Sequence, residues 1–115
     1  MSETHTELMT CYAEHRVGGT AVVELHGEID IHTAPEVRAR LDAVTAGPHP
    51  DVVLDLRAMS FIDCTGLSVL CRARNRVLAR RGRIRLVSDD DRFLRILRCV
   101  RLGRAFEVQP RLPVP

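Results

Sequence analysis

A chain of 115 residues fits one domain. With 45% hydrophobic and 28% charged residues it has ordinary globular composition, which excludes a wholly disordered chain and a fibre. All 17 basic residues are arginine and they are unevenly placed: residues 1–65 hold 4 Arg against 11 Asp/Glu, residues 66–115 hold 13 against 4.

That asymmetry raises nucleic acid or a membrane as an acidic partner. Three Phe and one Tyr are too few for a base-stacking surface, so nucleic acid is not the favoured reading. No apolar run reaches the roughly 20 residues that cross a bilayer. Residues 1–10 lack the basic-then-apolar pattern of a secretory leader. The chain therefore reads as a soluble cytoplasmic domain without a membrane segment. Cysteines stand at 11, 64, 71 and 99, with neither CxxC nor zinc-site spacing. Reduced thiols fit a reducing compartment, and Cys11, Cys71 and Cys99 read as small buried hydrophobes. No metal or cofactor is expected.

In chain order, Tyr12–Val17 and Thr20–Leu25 read as a hairpin linked by Gly18-Gly19. Thr33 and Glu36, with Pro35 in the first turn, fit a capping box. Val37, Leu41 and Val44 follow as one apolar stripe, and Gly47-Pro48 stops the helix. Val52 to Leu56 reads as a central parallel strand, apolar on both faces. After Phe61-Ile62 and Asp63-Cys64-Thr65-Gly66 comes a long helix to about Arg81, with Gly82 as its stop. Its wheel clusters Leu67, Leu70, Cys71, Val77 and Leu78, with Arg72, Arg76 and Arg80 opposite. Arg74 falls inside the apolar sector, its stem along the core edge and its guanidinium reaching out. Ile84–Val87 is a further strand. Ser88 and Asp91 then fit the start of a third helix that buries Phe93, Ile96, Leu97 and Val100 and ends at Gly103. Ala105–Val108 is a candidate last strand.

Alternating strands and helices imply an α/β fold with a mixed sheet, parallel in its middle and covered by helices. Loops after the strands then carry the site, which singles out Gly27–Thr33 and Ser60–Gly66. Asp63-Cys64-Thr65-Gly66 opens a helix, where free N–H groups favour an anion unless Asp63 or Thr65 caps them. Cys64 there could be a reactive thiol, although Asp63 opposes a second negative charge. His26 and His32 have no third ligand at metal spacing. No general base accompanies Cys64, and no phosphate-binding glycine loop, GxSxG or HExxH occurs, so an enzyme is not expected.

The stretch from Val52 to Leu70, VVLDLRAMSFIDCTGLSVL, resembles the central signature of STAS domains, most of all those of bacterial anti-sigma factor antagonists. Residues 27–36, GEIDIHTAPE, are similar to the family's second marker, a Gly-x-apolar-Asp loop before the first helix. The resemblance covers 11–108, which leaves 1–10 as a flexible N-terminus and 109–115 as a flexible Pro-rich tail. It implies a four- to five-stranded mixed sheet and a monomer or weak homodimer. It also implies an antagonist that binds an anti-sigma factor, often a serine/threonine kinase with a histidine-kinase-like ATPase fold, and so frees a sigma factor for transcription. The kinase would phosphorylate a Ser directly after the signature Asp, and a PP2C-type phosphatase would reverse it. The implied partner-binding residues are Asp30, His32, Thr33, Ser60, Asp63, Cys64, Thr65 and Gly66.

The sequence departs from the family at the phosphoacceptor, which here is Cys64. Thr65 is the next hydroxyl, about 100° further round the helix. Three readings stay open: an antagonist that resists inactivation, Thr65 as substitute acceptor, or a changed binding function on the same fold. The alternative class is a sensor or scaffold module that binds a small ligand or responds to redox state through Cys64.

Overall fold

The structure is a computed structural model that describes residues 11–113. The segment expected to be flexible at 1–10 lies outside the described residues. Among the described residues seven strands and three helices follow one another: β1 (Tyr12–Val17), β2 (Thr20–Leu25), β3 (Gly27–Ile29), α1 (Ala34–Val44), β4 (Asp51–Asp55), β5 (Met59–Ile62), α2 (Cys64–Ala79), β6 (Arg83–Val87), α3 (Asp91–Cys99) and β7 (Glu107–Gln109).

The main sheet has the order β1-β2-β4-β6-β7 and is mixed, as expected. β1 and β2 form the antiparallel hairpin; β2–β4, β4–β6 and β6–β7 are parallel. β4 is central, and Val52, Val53 and Leu54 are all fully buried because both faces of that strand are covered. On one face Val23, Leu25, Val52, Leu54 and Leu86 join Val37, Leu41, Leu70, Val77, Phe93 and Leu97 of the helices in a single core. Each such side chain contributes about 1.5–3 kcal/mol of burial free energy. On the opposite face Val22, Val53 and Val87 form a small cluster against Leu112. The packed chain thus runs past residue 108: Gln109 belongs to β7, its carbonyl accepts the Ser88 N–H at 2.9 Å, and Leu112 covers the sheet.

β3 and β5 are the elements not anticipated. Gly27–Ile29 and Met59–Ile62, read as parts of loops, pair in parallel as a separate two-stranded sheet. Their shortness hides the strand pattern.

Helix ends also differ from expectation in a consistent way. Thr33 stands at the N-cap of α1 but makes no side-chain cap bond, so the capping box does not form. Asp90, not Ser88, caps α3, its carboxylate accepting the Arg92 N–H at 2.9 Å. The helices α2 and α3 do not end on glycine. Arg81 (φ 58°) and Arg101 (φ 63°) take the left-handed position. The next residues close the turn with Gly82 N–H to Val77 O at 2.9 Å and Leu102 N–H to Leu97 O at 2.7 Å. Gly82 serves packing instead: a Cβ there would lie 2.1 Å from the Pro50 carbonyl oxygen.

Arg72, Arg76 and Arg80 are not a solvated face. Arg72 grips the Asp42 carboxylate with two bonds of 3.0 Å. Arg76 donates to Thr45 Oγ1 and Asp42 O, and Arg80 to Ala46 O. The row ties α2 to the end of α1. Arg74, whose guanidinium was expected to reach out, is half-buried and bonds the Ala105 carbonyl instead. Leu78, Ile96 and Val100, expected in the core, are exposed.

Candidate functional site

β3 and β5 run side by side in the same direction, with Glu28 opposite Phe61 and Ile29 opposite Ile62. Each leads within a few residues into a helix, so the turn 30–33 and the start of α2 come together at one end of the molecule. A bond from the Asp63 N–H to the Ile29 carbonyl, 3.3 Å, joins the two segments. The two loops singled out in the sequence thus form one surface.

Asp63 is the N-cap of α2. Its Oδ1 accepts the Gly66 N–H at 2.9 Å, so its carboxylate occupies the helix N-terminus that could otherwise receive an external anion. Gly66 is buried against β3 and β5, where a Cβ would lie 2.3 Å from the Ile29 oxygen and 2.6 Å from Ile62 Cγ1. Its part in the site is to let the helix approach, and it offers a partner no side chain.

Asp30 organises the other segment. Its Oδ1 accepts the N–H of His32 at 2.9 Å and of Thr33 at 3.2 Å. Those bonds, the one from His32 first, hold its carboxyl below the ordinary value. Thr33 Oγ1 accepts the Asp30 N–H at 3.0 Å and donates to Glu28 O at 2.9 Å. Asp30 and Thr33 therefore shape the turn, while His32 and Ser60 stand exposed.

Cys64 is the first residue of α2, an exposed free thiol whose carbonyl accepts the Ser68 hydroxyl at 3.0 Å. Thr65 is half-buried and lines a groove of about 710 Å³ between α1 and α2, shared with Ile31, Pro35, Arg38 and Ser68. On the other flank of α2, Cys64 lines a groove of about 420 Å³ with Leu67, Cys71, Val100 and Leu102. A smaller hollow holds Ser60, Phe61, Arg92 and Ile96. Thr65 and Cys64 thus face different flanks of the helix. Among the other cysteines, Cys11 and Cys71 are half-buried and Cys99 is exposed, so none is a fully buried hydrophobe. Burial raises the Cys11 thiol.

Two surface residues were not singled out in the sequence. Ile31 is 64% exposed and lines the α1–α2 groove with Thr65; Phe61 is 51% exposed and lines the hollow with Ser60 and Ile96. The signal for Phe61 was present: adjacent Phe61 and Ile62 in a short strand cannot both face inward. Ile31 sits in a polar turn between Asp30 and His32, where an apolar side chain has no core to enter. Among the described residues no group of three His, Cys, Asp or Glu could hold a metal ion, and no helix is long and apolar enough to cross a membrane.

The STAS domain family model matches residues 13–113. The chain belongs to the STAS domain family. Over 92 residues, 77% of this chain and 71% of the relative, it is 30% identical to the anti-sigma-F factor antagonist RsfA of Mycobacterium tuberculosis. Over 83 residues, 72% and 73% of the two chains, it is 30% identical to the anti-sigma-B factor antagonist of Listeria monocytogenes. Its fold matches the crystal structure of an anti-sigma factor antagonist from Mycobacterium paratuberculosis with a TM-score of 0.79 and 29% identity, covering 88% of this chain and 86% of that one. In this STAS domain β3 and β5 bring together the two segments, 27–36 and 52–70, on which the resemblance rests.

Proposed function

We propose that this STAS domain is an anti-sigma factor antagonist. It binds an anti-sigma factor through the surface centred on Cys64 and so frees a sigma factor for transcription. The observation that carries the reading is the exposed Cys64 at the start of α2, with exposed Ile31 and Phe61 in the two segments that meet there, in a chain 30% identical to proteins named as such antagonists.

Exposed apolar side chains supply binding energy when a partner covers them, about 25 cal/mol per Å² of apolar area. Asp63 and Gly66 hold the helix start rigid, which limits the entropy lost on docking. His32, Ser60 and Cys64 are the exposed polar members of this surface, and Asp30 and Thr33 keep Ile31 pointed outward through the turn they build.

The proposal includes a departure from the family's switch. A phosphate adds about −1.5 to −2 charge at pH 7, and beside Asp63 it would confront the partner with a strongly acidic spot. The ordinary acceptor of a serine/threonine kinase is a hydroxyl, and Cys64 has none. Thr65 does not take its place, because its side chain is half-buried toward the α1–α2 groove while Cys64 faces the other flank. The protein therefore stays competent to bind where a serine-bearing relative would be released, and a PP2C-type phosphatase has no work at this position.

The test is titration of the chain with each purified anti-sigma factor of its own genome, before and after incubation with ATP. One of them binds, and ATP leaves the affinity unchanged; Cys64→Ser gains phosphate and loses affinity with ATP. If no anti-sigma factor binds, the antagonist reading fails and a sensor or scaffold role replaces it. If the unaltered chain is phosphorylated at Thr65, the resistance to the switch fails.

A further inference from the structure

We infer that the outer face of α3 extends the docking surface and fits an acidic rim on the protein partner, an inference that rests on the antagonist reading above. α3 commits only Phe93 and Leu97 fully to the core. Ile96 and Val100 stay exposed, at 37% and 47%, and both face the site: Ile96 shares a hollow with Ser60 and Phe61, Val100 a groove with Cys64. The apolar edge of α3 is thus continuous with the apolar residues around the α2 start.

Outside that edge the helix carries arginine. At 100° per residue Arg92, Arg95 and Arg98 point away from Phe93 and Leu97, and Arg101 and Arg104 follow in the turn; all five are exposed. Arg92 pairs loosely with Asp90 at 3.6 Å, and Arg95, Arg98, Arg101 and Arg104 form no ion pair among the described residues. Elsewhere in this half Arg72 and Arg76 hold Asp42, Arg83 holds Glu107 and Arg85 holds Asp51, while Arg81 and Arg111 are exposed and form no ion pair among the described residues. The negative end of the helix dipole offsets only about half of one charge. Five exposed arginines thus gather on α3 and its following turn, next to the site, against Asp89, Asp90 and Asp91 at the start of the helix.

An acidic protein surface is the occupant these features favour. Beyond the core, α3 exposes only Ile96 and Val100 as large apolar residues, too narrow an edge to lay into a lipid interface. Of the two aromatic rings lining the adjoining hollow, Phe93 is buried and Phe61 alone is exposed, too little for stacking bases. Charges at the rim of an interface act chiefly on the rate of association and its dependence on salt.

The experiment compares the chain with an Arg95→Glu/Arg98→Glu/Arg104→Glu variant, whose positions are exposed and whose fold is checked by its circular dichroism melt. Association with the anti-sigma factor that the chain binds is timed at low and high salt, beside Cys64→Glu. The variant associates about tenfold more slowly at low salt and loses most of the salt dependence, with dissociation little changed. An unchanged association rate in the variant, with binding still lost in Cys64→Glu, overturns this inference and leaves the antagonist reading standing. Absence of binding to any anti-sigma factor overturns both. A 20-base-pair DNA duplex and phosphatidylserine vesicles are run in parallel. Binding to either that the variant loses, with partner association unchanged, assigns the face to that ligand and overturns the inference.

Discussion

Gly66 of α2 lies directly against the backbone carbonyl of Ile29 in β3, so close that a single Cβ would stand 2.3 Å from the oxygen. The contact lets the helix start sit down on the two-stranded sheet that carries both halves of the site. Ile29 cannot yield easily, because the same carbonyl accepts the Asp63 N–H and its side chain is fully buried. Gly66→Ala is therefore expected to destabilise the fold by about 1–3 kcal/mol through overpacking. It should also weaken partner binding, since Cys64 and Thr65 would be displaced with the helix. Urea unfolding of the purified variant checks the first effect; stability equal to that of the unaltered chain would contradict the packing argument.

The carboxylate of Asp63 spends its hydrogen-bonding capacity on the helix it begins. Asp63→Ala is expected to cost about 0.5–2 kcal/mol of stability, the usual loss for an N-cap, and Asp63→Asn much less. Thermal unfolding of both variants measures the difference. Equal stabilities for the two would mean that the Gly66 N–H bond contributes nothing.

How much of this was legible in the sequence follows from the length scale of each signal. The hairpin, the central strand and the α1 stripe repeat apolar residues over five or more positions, and Val37, Leu41, Val52 and Leu54 are buried as their spacing predicts. β3 and β5 are three and four residues long, too short for alternation to register. Helix ends misled because their bonds are tertiary or backbone choices: Asp90 outcompeted Ser88, and Arg81 and Arg101 accepted a conformation usually left to glycine. At the site, Cys64 and Asp63 were visible from the motif. Phe61 was marked only by its neighbour Ile62 in a short strand, and Ile31 not at all, since an exposed apolar residue has the same letter as a buried one.

Arg72, through its hydrogen bonds first and its charge second, holds the Asp42 carboxyl below its ordinary value, and Arg76 adds to the effect. A carboxyl depressed in the folded state contributes stability that is complete above its unfolded value near 3.9 and lost as pH falls through the lower folded value. Asp42→Asn should therefore be less stable than the unaltered chain by about 1 kcal/mol at pH 7, a modest figure because the pair is partly exposed. The gap should close as pH falls below the ordinary carboxylate range. Denaturant unfolding at a series of pH values checks this, and a gap that stayed constant into acid would rule out the Asp42–Arg72 clasp as its source.

Ile31 and Phe61 face solvent, so their truncation should spare the fold and cost the complex. Ile31→Ala and Phe61→Ala are each expected to change stability by less than about 0.5 kcal/mol and to weaken anti-sigma factor binding by more than about 1 kcal/mol, at least roughly fivefold in Kd. Calorimetric titration measures the affinity. Two variants that bind as tightly as the unaltered chain would place the docking surface elsewhere.

The central claim is that this domain displaces a sigma factor and cannot be switched off at Cys64. The most direct measurement starts from a purified complex of sigma factor with its anti-sigma factor and follows release of the sigma factor as the chain is added, with ATP present throughout. The account predicts that the unaltered chain releases sigma factor and goes on doing so, whereas Cys64→Ser releases it at first and then loses activity as phosphate accumulates. No release by the unaltered chain from any such complex, or a decline in ATP equal to that of Cys64→Ser, would contradict it.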